Sequence, residues 1–314
     1  MRTVAAWAWV FPGQGSQYVG MGKDLFDAYP EARRTFEEAD SRLGFDLTSI
    51  CFSGPEERLR ETRHTQLAIL AHSVAVARVL EGRAPEPVYA AGHSVGEYSA
   101  LVAAGALSFE GALNLVRVRA EAMYASGLEK PGSMAALIGL PDGALDPILA
   151  EGRKVGVIEA ANYNSPVQVV ISGDAVAVDA AVKAAPSAGA RRAIRLNVSG
   201  AFHSPLMASA RRAVEEALRA TAFSRPRVPV VSNVTAAGTV EPREIADLLA
   251  RQLTSPVMWQ QSVRFMVGEG VGAFVEIGPG NVLCGLSKRI APEAACSCCS
   301  DAKTTEAFLS EVGA

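Results

Sequence analysis

The chain has 314 residues, 49 % of them hydrophobic and 20 % charged, with 30 Lys and Arg against 33 Asp and Glu for a formal net charge of −3. A chain of this length should bury roughly 75 % of the surface it exposes when unfolded, so its core needs neither disulfide nor metal. The near-neutral balance, with no basic run interleaved with aromatics, excludes nucleic acid as a natural partner. Five cysteines, an odd count in a long chain, point to a reducing, cytoplasmic setting. The cluster Cys296-Ser297-Cys298-Cys299 could be half of a zinc site, but no second Cys or His pair stands at ligand spacing. These residues therefore read as exposed thiols of a tail, and no metal is expected.

At the amino end, MRTVAAWAWVFPG places one Arg before an apolar run, as a signal peptide would. The run stops at Pro12-Gly13 after about nine residues with no small-residue cleavage pattern, so it predicts a first buried strand, Trp7 to Phe11. A helix is predicted over Thr65 to Leu80; Gln66, His72, Ser73 and Arg78 interrupt it, and it is too short to span a bilayer. A strand from Pro87 to Ala91 and helices over Val95 to Ala104 and Phe109 to Ala125 follow, the alternation of βα units around a mostly parallel sheet. After Gly127 the texture changes. Strands are predicted at Ser133 to Leu140, Val155 to Asn162, Val167 to Ser172 and Arg191 to Asn197, with helices Ala144 to Glu151 and Ala175 to Ala185 between them, a β-α-β-β-α-β order of ferredoxin-like type. From about residue 200 the larger pattern resumes, with helices near 205–221 and 243–252 and strands at Val228 to Ser232 and Ala273 to Ile277. The expected organisation is an α/β domain of residues 1–126 and 200–290, with a small ferredoxin-like subdomain inserted at 127–199 and a tail at 291–314.

Gly92-His93-Ser94-Val95-Gly96 fits the G-x-S-x-G nucleophile elbow of an α/β-hydrolase-like core and lies where that motif must lie, after an apolar strand and before a helix. The plainer alternative is a strand-to-helix turn with Ser94 as N-cap. A serine hydroxyl needs a base. Of the four histidines, His93 should point away from Ser94, His72 falls inside an apolar helix as a core residue, and His64 sits at that helix's start as a cap. His203, in a loop before a helix, remains by elimination. Arg119 stands out by helical phase: at about 100° per residue, Ala112, Leu115, Val116, Arg119 and Met123 share one stripe, with Glu110, Asn114, Arg117 and Glu121 opposite. A guanidinium in a buried stripe must find an anion, either an internal carboxylate or one on a substrate. The glycine-rich Phe11-to-Gln17 loop lacks the Lys and spacing of a phosphate loop, but can present backbone N–H groups to an oxyanion.

FPGQGSQYVGMG at 11–22, TQLAIL at 65–70, GHSVGEYSALVAAG at 92–105, Arg119, NYNSPVQVVISG at 162–173, SGAFHSP at 199–205, RQLTSPVMW at 251–259 and EIGPGNVL at 276–283 together resemble the malonyl-CoA:acyl carrier protein transacylases, from residue 7 to about 290. The resemblance implies ping-pong transfer of malonyl from coenzyme A, through Ser94, to the phosphopantetheine thiol of an acidic acyl carrier protein, with no cofactor. It implies that His203 is the base and that Gln252 orients it through its backbone carbonyl. Arg119 pairs with the malonyl carboxylate, backbone N–H groups of Gln14 and Val95 form the oxyanion hole, and Phe202 fills the room an α-methyl group would need. His93 is given only a supporting role. The expected partners are malonyl-CoA and the carrier protein, with no membrane and a monomeric chain. The competing readings are an acyl-thioester hydrolase of the same fold, for which Arg119 has no use; a transferase for another dicarboxylic acyl-CoA; and a silent carrier-docking subunit, against which Ser94, His203 and Arg119 all speak.

Overall fold

The computed structural model describes residues 6–198 and 200–313. Residues 1–5 of the run weighed as a signal peptide, Ser199 before the histidine loop, and Ala314 lie outside them. The chain runs β1 (Ala6–Phe11), α1 (Lys23–Ala28), α2 (Pro30–Leu43), α3 (Leu47–Ser53), α4 (Glu56–Arg60), α5 (Thr62–Leu80), β2 (Tyr89–Gly92), α6 (Gly96–Ala103) and α7 (Phe109–Glu129). It continues with β3 (Gly132–Ile138), α8 (Leu145–Arg153), β4 (Ile158–Ser165), β5 (Gln168–Asp174), α9 (Ala175–Ala184) and β6 (Arg192–Arg195). A single 3-10 turn at Pro205–Met207 leads into α10 (Ala208–Arg219), β7 (Val230–Val231), β8 (Gly238–Thr239), α11 (Pro242–Gln252), α12 (Trp259–Gly268), β9 (Val271–Ile277), α13 (Val282–Ile290), β10 (Ala295–Cys299) and α14 (Ala302–Val312).

The main sheet has the order β10-β9-β1-β2-β7-β8, parallel throughout except for β8. Ala8 to Phe11 are buried without a break, the mark of a central strand covered on both faces. The second sheet, β4-β5-β3-β6, is antiparallel. Ile148 and Leu149 of α8 and Val178 and Ala181 of α9 pack on its Leu137, Ile158 and Ile171 as a core of their own. The β-α-β-β-α-β order expected for this stretch is the order found. Among the described residues no helix is long and apolar enough to cross a membrane.

Two expectations are corrected. The strand expected at Val228 to Ser232 shrinks to Val230–Val231, since Pro229 has no N–H to give a ladder. The carboxyl-terminal residues are not a tail with exposed thiols. β10 pairs with β9 along five residues, and α14, closed by a capping box of Asp301 and Thr304, buries Phe308 edge-on against Trp7 at 5.5 Å. Cys299 is buried, Cys298 is half-buried, and Cys296 is disulfide-bonded to Cys284.

Candidate active site

In parallel sheets of this kind ligands bind beyond the carboxyl ends of the strands, and the predicted site residues collect beyond β1, β2 and β7. Ser94 occupies the turn between β2 and α6 with a left-handed φ of 53°, a conformation that costs a non-glycine residue about 1–3 kcal/mol. The glycines on either side are dictated by contact: a Cβ on Gly92 would stand 1.9 Å from the Gly96 carbonyl carbon, and one on Gly96 would stand 2.2 Å from the Phe11 carbonyl oxygen. Asn233, just past β7, braces the turn. Its Oδ1 accepts the Ser94 N–H at 2.7 Å and its Nδ2 donates to the Gly92 carbonyl at 2.6 Å.

Ser94 Oγ lies 2.8 Å from His203 Nε2, and His203 Nδ1 lies 2.9 Å from the backbone carbonyl of Gln252. A carbonyl only accepts, so Nδ1 carries the hydrogen and Nε2 is left to accept from the serine hydroxyl. Burial and the neighbouring Arg119 push His203 down to about 3, which keeps it neutral at pH 7. Its φ of 57° is left-handed as well; among the described non-glycine residues only Ala236 joins Ser94 and His203 in that region. Two of these three left-handed residues, Ser94 and His203, thus face each other in the site.

The stripe predicted on α7 is buried and its opposite face exposed. The Arg119 guanidinium lies inside: Nη1 donates to Gln66 Oε1, and Nη2 donates to Ser94 Oγ at 2.9 Å and to Gln252 Oε1 at 3.0 Å, with the Tyr98 ring 5.7 Å away. Among the described residues it forms no salt bridge, and Nε finds no partner. A buried cation held by amides, a hydroxyl and an aromatic face is a seat for an incoming anion.

Gln252 does more than lend a carbonyl. Its side-chain Nε2 donates to Ser94 O at 3.1 Å and to Glu97 Oε2 at 2.8 Å, while Glu97 Oε2 also accepts the Asn233 N–H at 3.1 Å. Burial raises the Glu97 carboxyl to about 7. The site opens into a cavity of about 100 Å³, a few water molecules' worth of space, which suits a short acyl group. Gln14, Val95 and Phe202 line it, as do Met123, Met134 and Leu196. His93 is among the residues that line this cavity, and its ring is engaged elsewhere than at Ser94, with Nε2 at 2.9 Å from Asn164 Oδ1 and the Trp259 ring 5.7 Å away. His72 is fully buried and pushed down to about 4, while His64 Nδ1 lies 2.9 Å from the Arg58 carbonyl at the start of α5; neither approaches Ser94. Gln66, Glu97 and Asn233 were not singled out from the sequence.

The family described as Acyl transferase domain matches residues 8–297. A malonyl CoA-acyl carrier protein transacylase of Bacillus subtilis is 44 % identical over 303 residues, covering 95 % of both chains. One of Escherichia coli strain K12 is 45 % identical over 286 residues, covering 90 % of this chain and 92 % of its own. The chain belongs to the acyl transferase family of malonyl CoA-acyl carrier protein transacylases. Solved members of the family superpose over nearly the whole chain. The transacylase from Coxiella burnetii has a TM-score of 0.95 at 37 % identity, covering 99 % of this chain and 98 % of its own. A malonyl-transacylase in complex with a type II PKS acyl-carrier protein has a TM-score of 0.95 at 41 % identity, covering 98 % and 100 %. The match to residue 297 and the 303-residue alignment carry the family past residue 290, into β10 and beyond.

Proposed function

We propose that this acyltransferase moves a malonyl group from malonyl-CoA to the phosphopantetheine thiol of an acyl carrier protein, by a ping-pong route through an ester on Ser94. The carrying observation is that one hydroxyl is met by a neutral histidine at 2.8 Å and by a buried guanidinium, unpaired with any described carboxylate, at 2.9 Å. In the first half-reaction His203 Nε2 takes the Ser94 proton as Oγ attacks the thioester carbonyl. The N–H groups of Gln14 and Val95 receive the oxyanion. Collapse breaks the C–S bond, and the coenzyme A thiolate leaves with the proton from His203. In the second half-reaction the carrier thiol gives its proton to His203 and attacks the ester, and Ser94 Oγ departs and recovers that proton. Arg119 turns from Ser94 Oγ to the malonyl carboxylate. A thioester is already activated, so a neutral carbonyl orienting His203, in place of a carboxylate, is base enough.

Phe202 in the cavity wall favours malonyl over a branched acyl group, and Arg119 favours a transferase of dicarboxylic acyl groups over a hydrolase. The strand-turn-helix setting of Ser94 supports grouping residues 6–126 and 200–313, which build and cover the main sheet, with α/β-hydrolase-like cores, and residues 127–198 as the ferredoxin-like insert. We place the activity in the cytoplasm, the setting that an odd cysteine count in a long chain favours. The test is intact mass after brief incubation with malonyl-, methylmalonyl- or acetyl-CoA. A malonyl adduct should form on the wild type and be absent from Ser94→Ala. Label that survives in Ser94→Ala, or maps to a cysteine, overturns the assignment.

A further inference from the structure

The sequence around the Cys296-Ser297-Cys298-Cys299 cluster sets a zinc site aside because no second ligand pair stands at spacing, but the fold brings further ligand atoms beside it. Cys296 and Cys298 are two apart on β10 and so share a face. On the neighbouring parallel strand β9, Glu276 is the register partner of Cys298, with Oε2 at 4.0 Å from the Cys298 Sγ. Cys284, on the first turn of α13, completes the group. A Glu276 carboxylate oxygen, Cys284 Sγ and Cys298 Sγ all lie within 4.8 Å of one another, and Cys284 Sγ is bonded to Cys296 Sγ. Glu276 is fully buried and forms no salt bridge among the described residues. Its oxygens accept the N–H groups of Leu283 at 3.0 Å and Cys284 at 2.8 Å, and each keeps a lone pair to offer.

We propose that in the reduced protein Cys284, Cys296 and Cys298, with Glu276, form a binding site for a thiophilic divalent cation, zinc, and that the Cys284–Cys296 disulfide is the metal-free oxidised form of the same site. Zinc takes four S, N or O ligands in a tetrahedron at about 2.0–2.3 Å, which sets ligand atoms roughly 3.5–3.8 Å apart. β9, β10 and α13 already hold the four residues side by side, three of their ligand atoms within 4.8 Å of one another and the fourth bonded to one of these. Reduction by a dithiol supplies two electrons and two protons and leaves two thiols. Each cysteine then gives up its proton as the metal binds. The consequence is structural: the cation would tie β9, β10 and α13 together behind the Gly278–Gly280 turn, which packs on Pro12 next to the loop that carries Gln14.

The full chain, reduced with a phosphine and desalted without oxygen, should be titrated with Co²⁺ and then with Zn²⁺. The expected result is one equivalent of Co²⁺ bound with a thiolate-to-cobalt charge-transfer band, displaced by Zn²⁺ and absent from the disulfide-bonded protein. Cys298→Ser, at a half-exposed position, should weaken binding by roughly 10- to 100-fold or more, while Cys51→Ala, distant in the fold, should bind as the wild type does. No band in the reduced wild type, or an equal band in Cys298→Ser or in the oxidised protein, overturns the proposal. The comparison of reduced with oxidised wild type stands even where a variant fails to fold.

Discussion

Arg119 acts on the Ser94–His203 pair twice: it donates to Ser94 Oγ, and its charge helps to hold His203 far below its ordinary basicity. On the proposed route a substrate carboxylate on the guanidinium would relieve both restraints, so the acyl group that fits would also strengthen His203 as a base. A charge-assisted, bidentate pair is worth about 1.5–3 kcal/mol, or roughly 10- to 150-fold. Arg119→Ala should therefore lower kcat/KM for malonyl-CoA by that order while leaving acetyl-CoA unchanged or improved. Parallel losses on both substrates, together with lost thermal stability, would return Arg119 to a structural role. Glu97 acts one step further out. As a carboxylate it can only accept, so it fixes Gln252 with Nε2 inward and Oε1 toward Arg119. Its pKa is raised to about 7, so as pH falls through 7 it protonates, gains a donor and no longer dictates that orientation. The malonyl-to-acetyl preference should then decline below pH 7 by about fivefold, the worth of one ordinary hydrogen bond. In Glu97→Gln the preference should be low and flat with pH; a profile in that variant identical to the wild type's would remove Glu97 as a positioning residue. The sequence made Arg119 legible because α7 is amphipathic, so a cation on its apolar stripe breaks a pattern. Gln66 on α5 and Glu97 on α6 sit in helices buried nearly all round, where no stripe exists for a polar residue to violate.

At the scale of elements, the βα alternation and the β-α-β-β-α-β stretch were readable because each rests on a periodicity, 3.6 or 2, sustained over a full element. What escaped were pieces with no such signature. The strand β10 reads Ala-Cys-Ser-Cys-Cys, residues with little preference for extended structure, and it forms because β9 offers an open parallel edge. The corresponding prediction concerns Phe308 on α14, which is 2 % exposed and packs edge-on against Trp7. Truncating a buried Phe to Ala costs about 3–5 kcal/mol when the site is true core. Phe308→Ala should show a loss of that size in urea denaturation, with the Ser94 acylation rate of the folded protein unchanged. A loss under about 1 kcal/mol would make the carboxyl-terminal helix an appendage after all.

For the whole molecule the question is how one active site serves two thiol partners of different size. Coenzyme A needs to bring only its thioester into the cavity, whereas a carrier protein must also dock its body against the surface around the mouth. The net charge of −3 offers no global attraction for an acidic carrier, so any electrostatic help must come from a local patch of the opposite sign, and its reach is set by screening, about 10 Å at 0.1 M salt and 3 Å at 1 M. Steering of this kind acts on the rate of encounter and is lost steeply with ionic strength. Transfer from malonyl-Ser94 to the carrier, measured as kcat/KM for the carrier, should therefore fall by about tenfold between low and high salt. Acylation of Ser94 at saturating malonyl-CoA starts from a complex already formed and should change far less. Rapid-quench measurement of each half-reaction across a salt series separates the two. If both fall in parallel, the carrier is recognised by shape and apolar contact, and the case for a charged docking surface is lost while the chemistry assigned to Ser94, His203 and Arg119 stands.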